Sequence, residues 1–225
     1  METSLHRVLK QRYGPDSGGA SEVSVRGYRI DAVDPMGDLI EIQSGSLGPL
    51  RGKLAKLLPH HRIRIVKPIG IRRKVVRQGR WGFNKVLSAR FSPKRWELFD
   101  VFEDLVGIAT IFPHPNLTIE ILATTIEEVR IPRRRYPGYA VADRRLGTIE
   151  STTPLSRGTD LWRLIPQDWD WEDPFTTKDL ARRLERPVFV AQRIAYCLRH
   201  TGAAELVGKR RNSLVYAKKT ACLAN

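Results

Sequence analysis

Cysteine is scarce in this chain, and long apolar runs are missing from it. The 225 residues contain only two cysteines, Cys197 and Cys222, so neither a disulfide framework nor a cysteine-based metal site is expected. No stretch approaches the roughly 18 consecutive apolar residues of a membrane-spanning helix, and the N-terminal segment has no apolar signal-peptide core. We therefore expect a cytoplasmic protein that has no membrane partner.

Acidic residues are also few compared with basic ones. The chain has 24 Asp and Glu against 39 Lys and Arg, which gives a net charge of +15 and a pI near 10.3. No acid occurs between Arg62 and Arg80. Such a charge favours a polyanionic partner, for which DNA is our expectation and anionic lipid the alternative. Within the acid-free run, phosphate contacts are expected from Arg72, Arg73 and Lys74.

Residues 1–75 form the first domain that we predict. Leu5, Val8 and Leu9 have the spacing of an amphipathic helix, which ends at Gly14. Alternating apolar residues then predict three strands and, after a second helix, a fourth strand. The strands are expected at EVSV (22–25), YRIDAV (28–33), DLIEIQ (38–43) and RIRIVKPI (62–69), and the second helix at SLGPLRGKLAKLL (46–58).

Residues 76–160 are predicted to form an extension of helix, strand and connector. The apolar spacing of residues 94–112 indicates a long helix, and LTIEILATTIEEVRI (117–131) is typical of a strand. The basic, Gly- and Pro-containing stretch 132–147 is interpreted as a connector. The three tryptophans that follow are expected to pack in a core in preference to stacking on bases. They are Trp162, Trp169 and Trp171.

Residues 161–225 have the order of a winged helix-turn-helix domain. Two helical segments, KDLARRL and VFVAQRIAYCLRH, are followed by two short strands around a basic tip. We expect Cys197 to pack as a small buried residue. DNA binding is the role that we favour, and a protein–protein module is the alternative. The expected DNA contacts are Gln192, Arg193, Tyr196 and Arg199 on the second helix and Lys209, Arg210, Arg211 and Asn212 at the tip.

Two carboxylates interrupt neighbouring apolar strands of the first domain. Asp31 lies within YRIDAV and Glu41 within DLIEIQ, so pairing through the intervening turn would bring them close together. Like charges so placed raise a pKa or require a cation between them, and Mg²⁺ prefers such oxygen ligands. The alternative is that both acids face solvent or pair with Arg29 and Arg64, and such surface ion pairs contribute little to stability.

This order of elements and residues resembles the PD-(D/E)xK nuclease superfamily, most closely its Holliday-junction-resolvase and restriction-endonuclease branches. It is also similar to uncharacterised bacterial proteins that join this core to a C-terminal winged helix. The resemblance implies an α/β fold, with a restriction-endonuclease-like mixed sheet flanked by helices and a smaller winged helix-turn-helix domain after it. The implied activity is metal-dependent hydrolysis of DNA with Mg²⁺ or Mn²⁺.

The resemblance also assigns roles to individual residues. Asp31 and Glu41 match the metal-binding acids of the motif, aided by the Ile42 carbonyl, and Glu2 matches an acid that many members carry on the first helix. Gln43 stands where the motif usually has lysine. Glutamine can hold a water by hydrogen bonds but adds no charge, so a relocated cation is expected from Lys53 or Lys67.

Three functions remain open from the sequence. The first is an active DNA endonuclease or DNA-processing enzyme. The second is an inactive DNA-binding or regulatory protein that retains the nuclease fold, and the third is a subunit of a larger complex. A homodimer is compatible with each of them.

Overall fold

A computed structural model describes residues 2–79, 85–167 and 174–219 as a mixed α/β protein. The helices are α1 (Ser4–Tyr13), α2 (Arg51–Leu57), α3 (Phe102–Leu105), α4 (Thr177–Arg183) and α5 (Val188–His200). The strands are β1 (Ala20–Val25), β2 (Tyr28–Val33), β3 (Leu39–Ile42), β4 (Ile63–Gln78), β5 (Val86–Phe91), β6 (Leu117–Pro132), β7 (Tyr139–Leu155), β8 (Phe175–Thr176), β9 (Ala204–Arg210) and β10 (Ser213–Lys218).

Two compact units are interleaved along the chain. The first comprises Met1–Ser44, Arg64–Glu97 and Glu120–Thr152, and the second comprises Gly45–Ile63, Leu98–Ile119 and Thr153–Asn225. No helix in the described part of the chain combines the length and the apolar character needed to cross a membrane.

The first unit contains most of a large mixed sheet flanked by helix. Its strand order is β1-β2-β3-β4-β6-β7, with β5 paired to the outer part of β4. β1 and β2 form an antiparallel hairpin whose turn is Arg26-Gly27. Both turn residues have positive φ, 48° and 80°, which is the conformation that a tight two-residue hairpin turn requires. The strands predicted at 22–25 and 28–33 are therefore confirmed.

Helix α1 covers one face of this sheet. Leu5 and Leu9 on the helix pack in a core with Ala32, Ile40 and Ile42 of the neighbouring strands. The Thr3 hydroxyl caps the helix by accepting the His6 N–H, and the chain turns at Gly14, where a Cβ would lie 2.7 Å from the Ala20 carbonyl oxygen. The predicted helix is confirmed, although Val8 is exposed and does not join the core.

Two predicted elements of the middle region differ from the structure. The expected helix over 94–112 is a single α-helical turn, α3, between short 3₁₀ helices at Leu98–Val101 and Val106–Ile108. The expected connector at 132–147 belongs largely to β7. β7 lies at one end of the strand order and most of its side chains are exposed or half-buried, so its sequence lacks the apolar alternation that predicts a strand.

The C-terminal part of the second unit contains α4, α5 and a three-stranded sheet of order β8-β10-β9. The Thr176 hydroxyl caps α4 by accepting the Asp179 N–H, and the Asp179 carboxylate accepts the Thr176 N–H, which completes a capping box. On α5, Ile194 and Leu198 are buried, as is Cys197, as expected. Trp162 is buried too, as predicted. Trp169, Trp171 and Cys222 lie outside the described residues.

Candidate active site

Asp31 lies where strands β2 and β3 separate, a place that we call the fork. The two strands pair at Val33 with Leu39 and at Ala32 with Ile40, and continuing this register by one residue places Asp31 opposite Glu41. Beyond Glu41, the backbone N–H of Ile42 donates to Asp31 Oδ2 at 2.9 Å. At the fork, the Asp31 side chain thus takes the place that a backbone carbonyl of β2 would have as acceptor for the Ile42 N–H.

His6 of α1 holds the other oxygen of the same carboxylate. Its Nε2 lies 3.1 Å from Asp31 Oδ1 and 3.9 Å from Glu2 Oε1. Burial raises the pKa of Asp31, but the hydrogen bonds from His6 and from the Ile42 N–H outweigh that effect and leave the pKa below its ordinary value. Asp31 is therefore a carboxylate at neutral pH. Sequence reasoning gave His6 no role.

Glu2 lies close to the fork but is already paired. It precedes the first helical residue, Ser4, and so is not on the helix as expected. Its Oε1 lies 2.9 Å from Lys10 Nζ, which also donates to Glu22 at 2.6 Å. Burial lowers the pKa of Lys10, but the bonds to Glu22 and Glu2 raise it above its ordinary value. This ammonium therefore stays charged beside the two acids.

Strand alternation directs Glu41, Gln43 and Lys67 to the sheet face opposite α1. It directs Asp31 there too, since Ala32 belongs to the core under α1, and the Asp31 carboxylate meets His6 at the open fork. Ile42 of β3 and Val66 of β4 belong to the core under α1, so strand alternation directs their neighbours to the other face. Glu41 is buried. Lys67 is only 1% exposed, and its Nζ donates to the Ser44 carbonyl at 3.0 Å. Of the two expected cations, Lys67 therefore lies on the strand next to Glu41 and Gln43.

The remaining sequence-predicted partners are found on other elements. Lys53 is on α2, in the second unit. Arg64 lies 3.5 Å from Asp34, so it does not form the surface ion pair with Asp31 that was the alternative. Arg29 pairs with Glu22. The partners found for the Asp31 side chain are thus His6 and the Ile42 N–H, and neither Arg29 nor Arg64 is among them.

The donor set around the fork is small. No group of three or more His, Cys, Asp or Glu side chains within residues 2–79, 85–167 and 174–219 has a metal-binding arrangement. Mg²⁺, however, usually keeps several waters and takes only one or two carboxylates together with substrate phosphate. Asp31 is ionised and each of its oxygens has a second lone pair. A single ionised acid such as Asp31 is therefore within the number of carboxylates that Mg²⁺ takes.

The acid-free run of β4 is partly neutralised by the neighbouring strand. Arg73 lies 3.6 Å from Glu128, and Lys74 lies 3.3 Å from Glu127. Arg72 is exposed and covers the Phe91 ring. Of the three expected phosphate contacts, Arg72 is thus the one whose charge faces solvent most fully.

Glu128 is the centre of a cluster that sequence reasoning missed. It is 2% exposed and receives both Nε and Nη2 of Arg130 at 2.7 Å. Arg73 and Arg144 approach it at 3.6 Å each. Three guanidinium groups therefore surround one buried carboxylate on β6, and we call this set the Glu128 cluster.

The expected DNA contacts of the second unit are mostly on its surface. Gln192, Tyr196 and Arg199 are exposed on α5, whereas Arg193 is half-buried and lies 2.8 Å from Glu103 of α3. The tip between β9 and β10 is exposed throughout; its residues are Lys209, Arg210, Arg211 and Asn212.

Comparison with known proteins shows the family. The family described as "Domain of unknown function (DUF8091)" matches residues 3–156, and the chain belongs to it. The matched range contains the fork and the Glu128 cluster, and it ends before α4. An uncharacterized protein of Treponema pallidum (strain Nichols) is 32% identical over 155 residues, which are 67% of this chain. They are 61% of that relative, so the chain spans less than two thirds of the relative's length. No solved structure shows a significant match.

Proposed function

We propose that this chain is a metal-dependent DNA endonuclease, or a DNA-processing enzyme, of the PD-(D/E)xK type. The observation that carries the proposal is the fork, where the Asp31 carboxylate is held by His6 and by the Ile42 N–H. Continuing the register of β2 and β3 by one residue would set Glu41 opposite it. An acid on each of two strands that separate, beside a helix, is the arrangement that this superfamily uses.

The proposed fold extends to both units. In the first unit, a restriction-endonuclease-like core would comprise α1 and the strands from β1 to β4. In the second, the order α4, α5 and the hairpin of β9 and β10 supports a winged helix-turn-helix domain. The exposed residues of α5 and the basic tip would then dock the duplex, since a helix fits the major groove and basic side chains suit phosphates.

The proposed chemistry assigns the fork residues separate tasks. Asp31 and Glu41 would hold Mg²⁺ or Mn²⁺, and such an ion, when bound, polarises a water and neutralises charge on phosphate. His6 keeps the Asp31 carboxylate oriented. Lys67 supplies the positive charge that Gln43 lacks on the same sheet face, and Gln43 can orient a water by hydrogen bonds.

Cleavage assays with matched variants test the proposal. Purified protein is incubated with plasmid, branched and single-stranded DNA in Mg²⁺ or Mn²⁺. We expect cleavage, and we expect Asp31→Asn and Glu41→Gln each to reduce its rate by about 100-fold or more, as loss of one preorganised charge commonly does. Asp16→Asn is the control, because Asp16 is an exposed acid of the same unit. Cleavage that survives both fork variants would refute the site.

One observation favours a second function, an inactive DNA-binding or regulatory protein. Both oxygens of Asp31 already accept hydrogen bonds, and the usual lysine is replaced by Gln43. A fork used only as scaffold would give DNA binding that is sensitive to salt but unchanged by EDTA or by Asp31→Asn. If DNA binding required the metal ion, this alternative would be excluded.

A further inference from the structure

The turn between β6 and β7 is exposed and is closed by hydrogen bonds of its own backbone. The Arg133 N–H donates to the Gly138 carbonyl at 3.0 Å, and the Gly138 N–H donates to the Arg135 carbonyl at 2.8 Å. Every side chain from residue 132 to residue 137 is exposed. We call residues 133–138, with sequence RRRYPG, the basic turn.

The charge of the basic turn is not balanced locally. No acid occurs between Glu128 and Asp143 in the sequence. Within residues 2–79, 85–167 and 174–219, no carboxylate lies at ion-pair distance from the three arginines at positions 133, 134 and 135. Arginines further along the same two strands differ, because Arg130 and Arg144 contact Glu128. The guanidinium groups of the basic turn are therefore the ones available to an external anion.

An aromatic ring accompanies these charges. Tyr136 is 98% exposed, so its ring packs on nothing in its own unit. The next aromatic residue, Tyr139, is instead covered by the Arg130 guanidinium, 4.0 Å from its ring centre. A bare tyrosine directly after three unpaired arginines is suited to stacking on a nucleic-acid base, since every base presents a π face.

We propose that the basic turn is a DNA-binding element, in which the arginines contact phosphates and Tyr136 stacks on an exposed base. A two-stranded β-ribbon fits the major groove, and the guanidinium fork binds phosphate oxygens in pairs. The proposal rests on DNA being the partner in the proposed function, and it adds a contact apart from the fork and from α5. An anionic membrane would suit the arginines equally, but a single aromatic side chain offers it little apolar area.

Two triple variants of equal charge separate a site from a net-charge effect. The first changes Arg133, Arg134 and Arg135 to Gln. The second, the control, changes the exposed Arg7, Arg12 and Arg51 to Gln. Affinity for a labelled duplex and for a labelled branched junction is measured by fluorescence anisotropy over a series of salt concentrations, and binding to vesicles containing phosphatidylserine is measured by co-sedimentation. Urea unfolding of each variant confirms that it is folded.

We expect the basic-turn triple variant to bind DNA more weakly, and we expect its affinity to depend less steeply on salt concentration. Each lost phosphate contact lowers the slope of log affinity against log salt by about 0.9, so three contacts give about 2.7. The control should keep the wild-type slope. For Tyr136→Ala we expect about tenfold weaker binding to the junction, the loss typical of one stacked base, whereas Tyr136→Phe should bind as the wild type.

The outcomes distinguish failure of this inference from failure of the proposed function. If wild type binds DNA and the two triple variants weaken it equally, the basic turn is not a site, and the proposed function stands. If wild type binds no DNA under any of these conditions, both the inference about the basic turn and the proposed function are refuted. If the basic-turn triple variant loses binding only to vesicles containing phosphatidylserine and not to DNA, the element is a membrane contact and the proposal is overturned.

Discussion

Replacing Glu128 by Gln tests how far the first unit depends on the Glu128 cluster. The substitution keeps the size of the side chain and removes its charge. Three guanidinium groups would then lose their shared counter-charge, and the amide nitrogen would face donors instead of acceptors. We therefore expect Glu128→Gln to lower the free energy of unfolding of the first unit.

The geometry of the cluster sets the size of this loss. Removing one partner of a buried ion pair typically costs about 3–5 kcal/mol. Here the side chains of Arg130, Arg73 and Arg144 are 23%, 30% and 45% exposed, so water can reach each guanidinium once the acid is gone. Partial rehydration reduces the penalty, and we expect a loss of about 2–3 kcal/mol.

The neighbouring acid provides a matched control. Glu127→Gln changes the same charge on the same strand, but the Glu127 side chain is 25% exposed and its contacts with Lys74 and Arg145 lie at 3.3 Å. Such pairs contribute about 0–1 kcal/mol. Both variants are compared with wild type by urea unfolding followed by circular dichroism. Equal losses in the two variants, or a Glu128→Gln protein as stable as wild type, would refute this account of the cluster.

Two further predictions concern the fork. Lys67→Met should reduce DNA cleavage by about 100-fold or more, because it removes the buried charge on the strand next to Glu41. Gln43→Lys in that background should restore part of the rate, and a cleavage rate unaffected by Lys67→Met would exclude the role given to this lysine. The folded-state pKa of Asp31 is lowered, so its contribution to stability is present above the unfolded value of about 3.9 and is lost as pH falls through the folded value. Unfolding measured across the acid range should therefore show a shallower loss for Asp31→Asn than for wild type, and identical curves would contradict the assignment.

Elements with a strong apolar period were predictable from sequence. Helix α1 was predicted by Leu5 and Leu9, and β2 by the alternation around Asp31, since one side of each element is buried in the same core. Strand β7 gave no such signal because it lies at the end of the sheet with few buried side chains. Residues 94–112 have the apolar spacing of a helix, but in the structure this segment contains only one α-helical turn, α3.

The candidate site was predictable only along the strands. The register of β2 and β3 follows from the short turn between them, so the opposition of Asp31 and Glu41 could be expected. The contact of His6 with Asp31 joins residues 25 positions apart, and no local pattern signals it. Lysine is rarely buried, so the sequence could name Lys67 and Lys53 as candidate cations but could not predict the burial of Lys67.

The length of β6 sets a scale for the DNA that this protein could engage. The Thr124 hydroxyl donates to the Ile69 carbonyl of β4, two residues beyond Lys67. From Thr124 to Arg134 the chain advances about ten residues, which at about 3.3 Å each is at most about 33 Å. Duplex DNA rises about 3.4 Å per base pair. A footprint of roughly one helical turn would thus be enough to reach from the fork side of the sheet to the basic turn.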